Sequence, residues 1–95
     1  DLKITVRKIT KEDIKIRKLP NQTKGLVITK IGNTSPLRNS ISENNIIVEA
    51  QKTKIKDVND LQKVIKSVMQ SNQKTILFLI YNNQNQKEYV GVKLD

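Results

Sequence analysis

Two short runs of β-branched residues, lying close together, constrain what this chain can fold into. They are Leu26–Ile31 and Ile46–Ala50, and both have the length and residue types of buried strands. Between them, Gly32 breaks the pattern, and Ser35-Pro36 is typical of a helix start, with Ser as N-cap and Pro at the first position. We therefore expect a core of two buried strands connected through a one-turn helix, with the rest of the chain packed on it.

Four further strands are predicted from alternation or from continuous apolar runs. Ile4 and Val6 share one face of the first, and the other face is polar, so this strand is expected to be covered on one side only. The apolar run after Thr75 is almost unbroken, which is typical of a central strand buried on both faces. The four strands are placed at residues 3–8, 53–55, 75–81 and 88–94.

Two helices complete the prediction. The first begins after Thr10, a good N-cap, and ends before Leu19-Pro20. The second begins after Asp57 and covers Val58–Met69, where apolar residues recur at helical spacing. The elements together predict an α+β, mostly β fold, a small antiparallel β-barrel or sandwich of five to six strands capped by two helices.

The apolar stripe of the second helix is wider than packing on a sheet requires. Leu61, Val64 and Val68 are expected to face the sheet. Val58 and Ile65 are expected to lie along its edge toward another surface, and Gln62 lies about one turn from each of them. This edge of the helix is therefore a candidate binding surface.

The composition excludes most kinds of catalytic site within this chain. With no cysteine and no histidine, it holds no Cys-based or His-based metal site, no Ser-His-Asp triad and no Cys-His pair. The nine acidic residues are well spaced, and the adjacent pair Glu12-Asp13 falls in a predicted first helical turn, as expected of caps rather than of an acid/base pair. We expect no catalytic residue, no metal and no cofactor here.

The net charge of +9 raises the question of an anionic partner. Most of the basic residues are lysine, and the joint abundance of Lys, Ile and Asn is typical of an AT-rich coding sequence. The three aromatic residues lie in the late strands without an RNA-binding motif, so nucleic acid is not expected as a partner. No apolar run approaches the roughly 20 residues of a transmembrane helix. The chain opens on Asp1 and is expected to be a single domain, residues 1–95, of a longer protein.

Several segments, in this order and spacing, resemble a PDZ domain of the bacterial HtrA/Deg serine protease family, most closely its C-terminal PDZ repeat. Residues 25–31 with Ser35-Pro36 resemble the family's Gly-Val-Val-Val-Thr-x-Val…Ser-Pro segment, and residues 56–61 resemble its Ser-Val-x-Asp-Leu helix start. The other segments that carry the resemblance are residues 2–6, 46–52, 75–81 and 89–94.

In that family the PDZ domain binds an extended peptide, often a protein C-terminus, as an added strand beside the sheet edge and under the long helix. Backbone N–H groups of the preceding loop hold the terminal carboxylate, and an apolar pocket takes the last side chain. The resemblance thus implies a loop at residues 1–4, including Asp1, with Ile4 and Ile65 as the floor and side of the pocket. The implied peptide-binding residues are Leu2, Lys3, Ile4, Thr5, Val6, Val58, Gln62 and Ile65.

The resemblance also implies a parent protein. It would be a periplasmic or cell-envelope serine endoprotease involved in protein quality control, with its catalytic domain outside this chain. The implied partners are peptides or unfolded protein segments, with C-terminal carboxylates among them, and other subunits of an oligomer. Lys3 stands where the family has glycine, so either its ammonium reaches a carboxylate or the loop has another shape. The alternative is a basic adaptor that binds an anionic partner, nucleic acid or an acidic membrane surface.

Overall fold

The computed structural model describes residues 2–72 and 74–94, in which the strands form one antiparallel sheet. The elements are β1 (Ile4–Lys8), α1 (Lys11–Arg17), β2 (Leu26–Ile31), β3 (Ile46–Ala50), β4 (Thr53–Lys54), α2 (Val58–Met69), β5 (Thr75–Tyr81) and β6 (Lys87–Lys93). The strand order is β1-β2-β3-β5-β6, and the short β4 pairs with β3 alone. The predicted α+β, mostly β fold class is confirmed, since the described chain forms six strands and two helices.

The main core lies between the sheet and α2. Leu61 and Val68 of α2 are buried against it, as the helical periodicity predicts, and Phe78 of the central β5 is fully buried. A smaller cluster forms on the other face, where Leu19 and Tyr81 are buried and the side chain of Ile14 packs on them from α1. The sheet is therefore covered by one helix on each face. Within the described ranges, neither helix has the length and apolar content needed to cross a membrane.

Helix α1 is held at its start by a capping box. The Thr10 hydroxyl accepts from the Asp13 N–H, and the Asp13 carboxylate accepts from the Thr10 N–H at 2.7 Å. Arg7 of β1 donates to both oxygens of the same carboxylate, at 2.7 and 2.9 Å. The hydrogen bonds from Arg7, followed by those from Thr10, hold the pKa of Asp13 well below its usual range. This carboxylate therefore ties the first strand to the first helix.

Asp13→Asn is expected to make stability less dependent on pH. Because the pKa of Asp13 is lower in the folded than in the unfolded chain, its carboxylate stabilises the fold above the unfolded pKa of about 3.9, and this contribution is lost as the pH falls below that value. We expect the variant to lose about 1 kcal/mol at neutral pH and much less in acid, measured by urea unfolding. Glu12→Gln, in the same turn, is the control. An equal loss at both pH values would contradict the electrostatic role.

Residues 36–40 form consecutive turns, so the predicted one-turn helix is wrong. Ser35 does cap, since its hydroxyl oxygen accepts from the Leu37 N–H at 3.1 Å, but that hydroxyl also donates to the Leu2 carbonyl at 2.6 Å. Leu37 and Ile41 are both buried, which draws the segment into the core. Asn39 and Ser40 between them are weak helix formers. Burial of two side chains thus shapes this connection more than helix propensity does.

Within the described residues, the left-handed backbone positions are filled without glycine. All residues found in the left-handed region carry a side chain, and none of the three glycines lies there. Lys18 ends α1 in this conformation, and Gln51-Lys52 form the two-residue connection between β3 and β4 with φ of 53° and 62°. The left-handed non-glycine residues are Lys3, Lys18, Asn44, Gln51, Lys52, Lys74 and Asn85.

Candidate peptide-binding groove

Strand β1 is at one end of the sheet, and the hydrogen-bond pattern leaves part of its backbone facing outward. Val6 stands opposite Ile28 in the β1–β2 register. Ile28, however, donates to the Asn45 carbonyl at 2.9 Å and accepts from the Asn44 N–H at 2.7 Å, so its backbone bonds lie on the side away from β1. Because backbone groups alternate in an antiparallel pair, the N–H and C=O of Val6 point away from β2, toward the open edge.

The start of β1 shows the same pattern. The Lys3 carbonyl accepts from the Gly32 N–H at 2.9 Å, and the Leu2 carbonyl accepts from the Ser35 hydroxyl at 2.6 Å. A trans peptide unit directs its C=O and the next N–H to opposite sides, and the described chain has no cis peptide. The N–H of Ile4 therefore points away from β2. The open edge of β1 thus presents backbone groups at Ile4 and again at Val6.

A bulge in β2 lies beside this edge. The register shifts after Thr5, which pairs with Lys30, so that Thr29 is an extra residue in β2. The Thr29 hydroxyl donates to the Thr5 carbonyl at 3.1 Å and so closes the gap in the ladder. Because the extra residue lies in β2, the side chains of β1 alternate without interruption. Ile4 and Val6 consequently share the face that packs toward α2.

The open edge and α2 together enclose a groove of about 440 Å³. Its lining is mostly apolar, with Gln62 and Lys66 as the polar exceptions, and none of the lining residues within 2–72 and 74–94 is acidic. Val58 and Met69 are each 42% exposed, which is high for residues of this size and leaves apolar surface accessible from solvent. The lining residues are Leu2, Ile4, Val6, Val58, Leu61, Gln62, Ile65, Lys66 and Met69. A groove of this kind suits an extended segment with apolar side chains.

Six of the residues predicted for peptide binding line this groove, and two do not. The six are Leu2, Ile4, Val6, Val58, Gln62 and Ile65. Thr5 is exposed on the other face of β1, and the Lys3 ammonium donates to the Thr34 hydroxyl at 3.0 Å. The backbone of Lys3 has a φ of 54°, the left-handed conformation for which glycine is preferred. Asp1 lies outside the described residues.

Three lining residues are missing from the sequence-based prediction. Leu61 is assigned there to the core alone, whereas it both packs in the core and lines the groove. Lys66 follows Gln62, and Met69 follows Ile65, by one helical turn each, so helical spacing was the signal that could have found both. Across the described ranges there is no group of three or more His, Cys, Asp or Glu residues arranged to hold a metal ion. What the groove offers to a ligand is the outward backbone groups of β1 and the apolar side chains of its lining.

Solved structures share this architecture over the whole chain. The HtrA-type protease AlgW with decapeptide superposes with a TM-score of 0.74 at 18% identity, covering 99% of this chain and 28% of that one. The PDZ domain of HtrA3 bound to a phage-derived ligand (FGRWV) gives the same TM-score and identity, covering 100% and 84%. The chain has a PDZ fold. The predicted likeness to the PDZ domains of HtrA-type proteases is thereby confirmed at the level of the fold.

This PDZ fold has also diverged far in sequence. The PDZ domain of EpsC from Vibrio cholerae matches with a TM-score of 0.60 at 8% identity, covering 98% of this chain and 95% of that one. No protein-family model matches the sequence, and no curated protein is significantly similar to it. The PDZ-fold chain spans 28% of the length of the AlgW chains it matches.

Proposed function

We propose that this domain binds extended peptide segments, among them protein C-termini, as a strand added to β1 beneath α2. The proposal rests on one observation: the outward backbone groups of β1 and the apolar groove lie side by side. Ile4 and Val6 turn their backbone groups outward, and their side chains line an apolar groove closed on its other side by α2. An added strand would gain main-chain hydrogen bonds from the first feature and side-chain burial from the second.

The terminal residue of the peptide is expected to contribute most. Burying one Val or Leu side chain between Ile4 and Ile65 is worth about 1.5–3 kcal/mol. The N–H of Ile4 points outward at the start of the strand, where a terminal carboxylate would lie in an antiparallel arrangement. Lys66 lines the same groove and adds a positive charge, and none of the described lining residues carries a negative charge. A peptide that ends in an apolar residue with a free carboxylate is the expected ligand.

The test is an amide-resolved NMR titration with a short peptide ending in Val, beside its C-terminally amidated twin. We expect only the free carboxylate form to shift residues 2–6 and 58–65. Shifts at the same residues with both forms would indicate strand addition without carboxylate recognition, which would overturn the C-terminal specificity but not the groove. No shift with either form would overturn peptide binding and would leave contact with neighbouring subunits as the role of the groove.

Val58→Glu is expected to weaken binding of this peptide about tenfold, equivalent to about 1.4 kcal/mol. The change puts a carboxylate into the apolar groove, where it must be desolvated beside an anionic ligand. Asn59→Glu is the matched control, since it adds the same charge in the same first helical turn but does not line the groove. Both variants suit the positive end of the helix dipole, so both should fold. Equal weakening in both would indicate an effect of net charge and would contradict the assigned site.

We further propose that the parent protein is an HtrA/Deg-like serine endoprotease of the periplasm or cell envelope, acting in protein quality control. The fold shared with the PDZ regions of AlgW and HtrA3 supports this. In this proposal the chain is one domain that binds substrate segments or neighbouring subunits, and catalysis belongs to another part of the protein. Sequencing the gene on both sides of this segment is the test. A parent without a protease domain carrying His, Asp and Ser would rule the proposal out.

A further inference from the structure

The face of the sheet covered by α1 carries two adjoining hollows that together we call the basic cleft. One, of about 480 Å³, lies between residues 20–24 and strands β3 and β4. The other, of about 440 Å³, extends from the same loop along residues 8–14. The two hollows share Gln22, Thr23, Lys24 and Lys56 as lining residues, so they form one continuous surface. This surface is separate from the groove beside α2, with which it shares no lining residue.

The basic cleft is strongly unbalanced in charge. Its lining includes the lysines Lys8, Lys11, Lys24, Lys54, Lys56 and Lys87. Glu49 is the single acidic residue among the lining residues of both hollows. In the part of the chain that the structure describes, the one ion pair within 4.0 Å joins Arg7 and Asp13, so none of these six ammonium groups is paired with a carboxylate. Cations gathered around a concave surface without counterions create a positive potential that attracts anions.

Beneath the lysines, the floor of the cleft is apolar. Val48 and Ile55 line the first hollow, and Ile9 and Ile14 line the second. An occupant therefore gains apolar burial as well as charge pairing, which a simple ion or a fully hydrated polyanion does not require. The shape, the charge and the floor together favour an elongated ligand with carboxylates on its outside and apolar groups on its inside.

We propose that the basic cleft binds an acidic peptide segment in an extended conformation. Alternate side chains of an extended segment point to opposite sides, so its carboxylates can meet the lysines while its apolar residues lie on the floor. The cleft thus gives the domain a second peptide site, selective for charge and independent of a free C-terminus. A partner that carries both an acidic stretch and an apolar C-terminus would engage both sites.

Nucleic acid fits the cleft less well. Single strands bind by stacking bases on aromatic rings, but the aromatic residue in this lining, Tyr81, is only 7% exposed and has the Lys87 ammonium 5.5 Å from its ring centroid. No arginine lines either hollow, so bidentate contacts to phosphate are not available. A flat membrane surface also fits poorly. The exposed large apolar side chains lie outside both hollows, at Ile16, Val58, Met69 and Tyr89.

The experiment uses a labelled peptide of alternating Glu and Val, amidated at its C-terminus, with a Gln-for-Glu twin as the uncharged control. We expect the acidic peptide to bind, with an affinity that falls as salt is raised, and the neutral twin to bind much more weakly. In NMR, the shifts should map to residues 22–24, 48 and 54–56. Shifts confined to residues 2–6 and 58–65 would overturn this proposal and would support peptide binding in the groove beside α2. Shifts confined to residues 22–24, 48 and 54–56 would support the basic cleft as a peptide site of its own.

A pair of double variants tests the location of the binding surface. Lys24→Gln with Lys56→Gln removes the two charges shared by both hollows and is expected to weaken binding of the acidic peptide about three- to tenfold. Lys30→Gln with Lys93→Gln removes the same charge from exposed positions outside the cleft and should change affinity less than twofold. Equal weakening by both pairs would overturn the site. Tighter binding of oligouridine, or of vesicles rich in phosphatidylglycerol, at the same residues would replace the acidic peptide by that partner.

Discussion

Replacing Gly25 with alanine is expected to lower the free energy of unfolding by about 3 kcal/mol. A Cβ atom built at this position would lie 2.5 Å from the Ile47 carbonyl oxygen and 3.0 Å from a methyl carbon of Ile46. Both neighbours belong to β3, which is held between β2 and β5, so the carbonyl cannot move away without breaking the ladder on both sides. The requirement for glycine here is close approach of backbone, and it is independent of φ, which is not in the left-handed region.

Gly91→Ala is the matched control for this variant. Gly91 lies in β6, where an added Cβ would meet nothing within 4 Å, and alanine in a strand interior is favoured over glycine by about 0.5–1 kcal/mol. We therefore expect Gly91→Ala to be neutral or slightly stabilising in urea unfolding, while Gly25→Ala shifts the transition to much lower urea. Similar midpoints for the two variants would mean that the backbone at residue 25 can move away from β3 at little cost, contrary to the close approach of Gly25 to the Ile47 carbonyl.

Arg17→Met is expected to lower the free energy of unfolding by about 2–3 kcal/mol. The Arg17 guanidinium extends from α1 and donates to the Asn85 side chain at 2.6 Å, to the Asn44 carbonyl at 2.7 Å and to the Asn82 carbonyl at 2.9 Å. One side chain thereby joins α1 to the β2–β3 connection and to the β5–β6 hairpin. Arg17 is partly buried, and this burial lowers the pKa of its guanidinium from the usual value.

Two variants define what Arg17 contributes. Arg17→Lys keeps the charge but cannot donate in three directions from a planar group, so it should recover only a minor part of the loss. Lys15→Met, an exposed substitution on the same helix, should change stability by less than about 0.5 kcal/mol. Thermal and urea unfolding measure the stability of Arg17→Met, Arg17→Lys and Lys15→Met beside the unchanged protein. Full recovery by Arg17→Lys would show that charge alone, rather than the three-way hydrogen bonding, holds the hairpin and loop to α1.

The secondary structure of this chain is largely predictable because burial and periodicity agree along it. The apolar spacing of Val58–Met69 predicts both the helix and which of its edges faces outward, and the groove contains the edge residues Val58 and Ile65. The near-continuous run of Thr75–Tyr81 predicts its central place between β3 and β6. Local propensity fails at residues 36–40, where the burial of Leu37 and Ile41 prevails over a helix-start pattern.

The features that could not be predicted from the sequence arise where segments far apart in the chain come into contact. The bulge at Thr29 results from the pairing of β2 with β1, and no sequence pattern within β2 predicts it. The Lys3 ammonium reaches Thr34, a neighbour visible only once the loop is folded. The lysines of the basic cleft come from four separate stretches of the chain, residues 8–11, 24, 54–56 and 87, so their clustering is hidden in a sequence whose overall excess of lysine is typical of codon bias. Tertiary proximity is the missing information in each case.

The left-handed residues described above, none of which is a glycine, leave room to stabilise this domain by evolution or engineering. Each lysine or glutamine held at positive φ costs about 1 kcal/mol relative to a residue suited to that conformation. At Lys18, Lys52 and Lys74, glycine or asparagine could lower that strain without altering the lining of the peptide groove or the basic cleft. Substitutions that change ligand preference usually destabilise a fold. A variant in which these substitutions had first raised the stability would tolerate a wider range of groove residues. Its ligand preference could then change more readily than that of the present sequence.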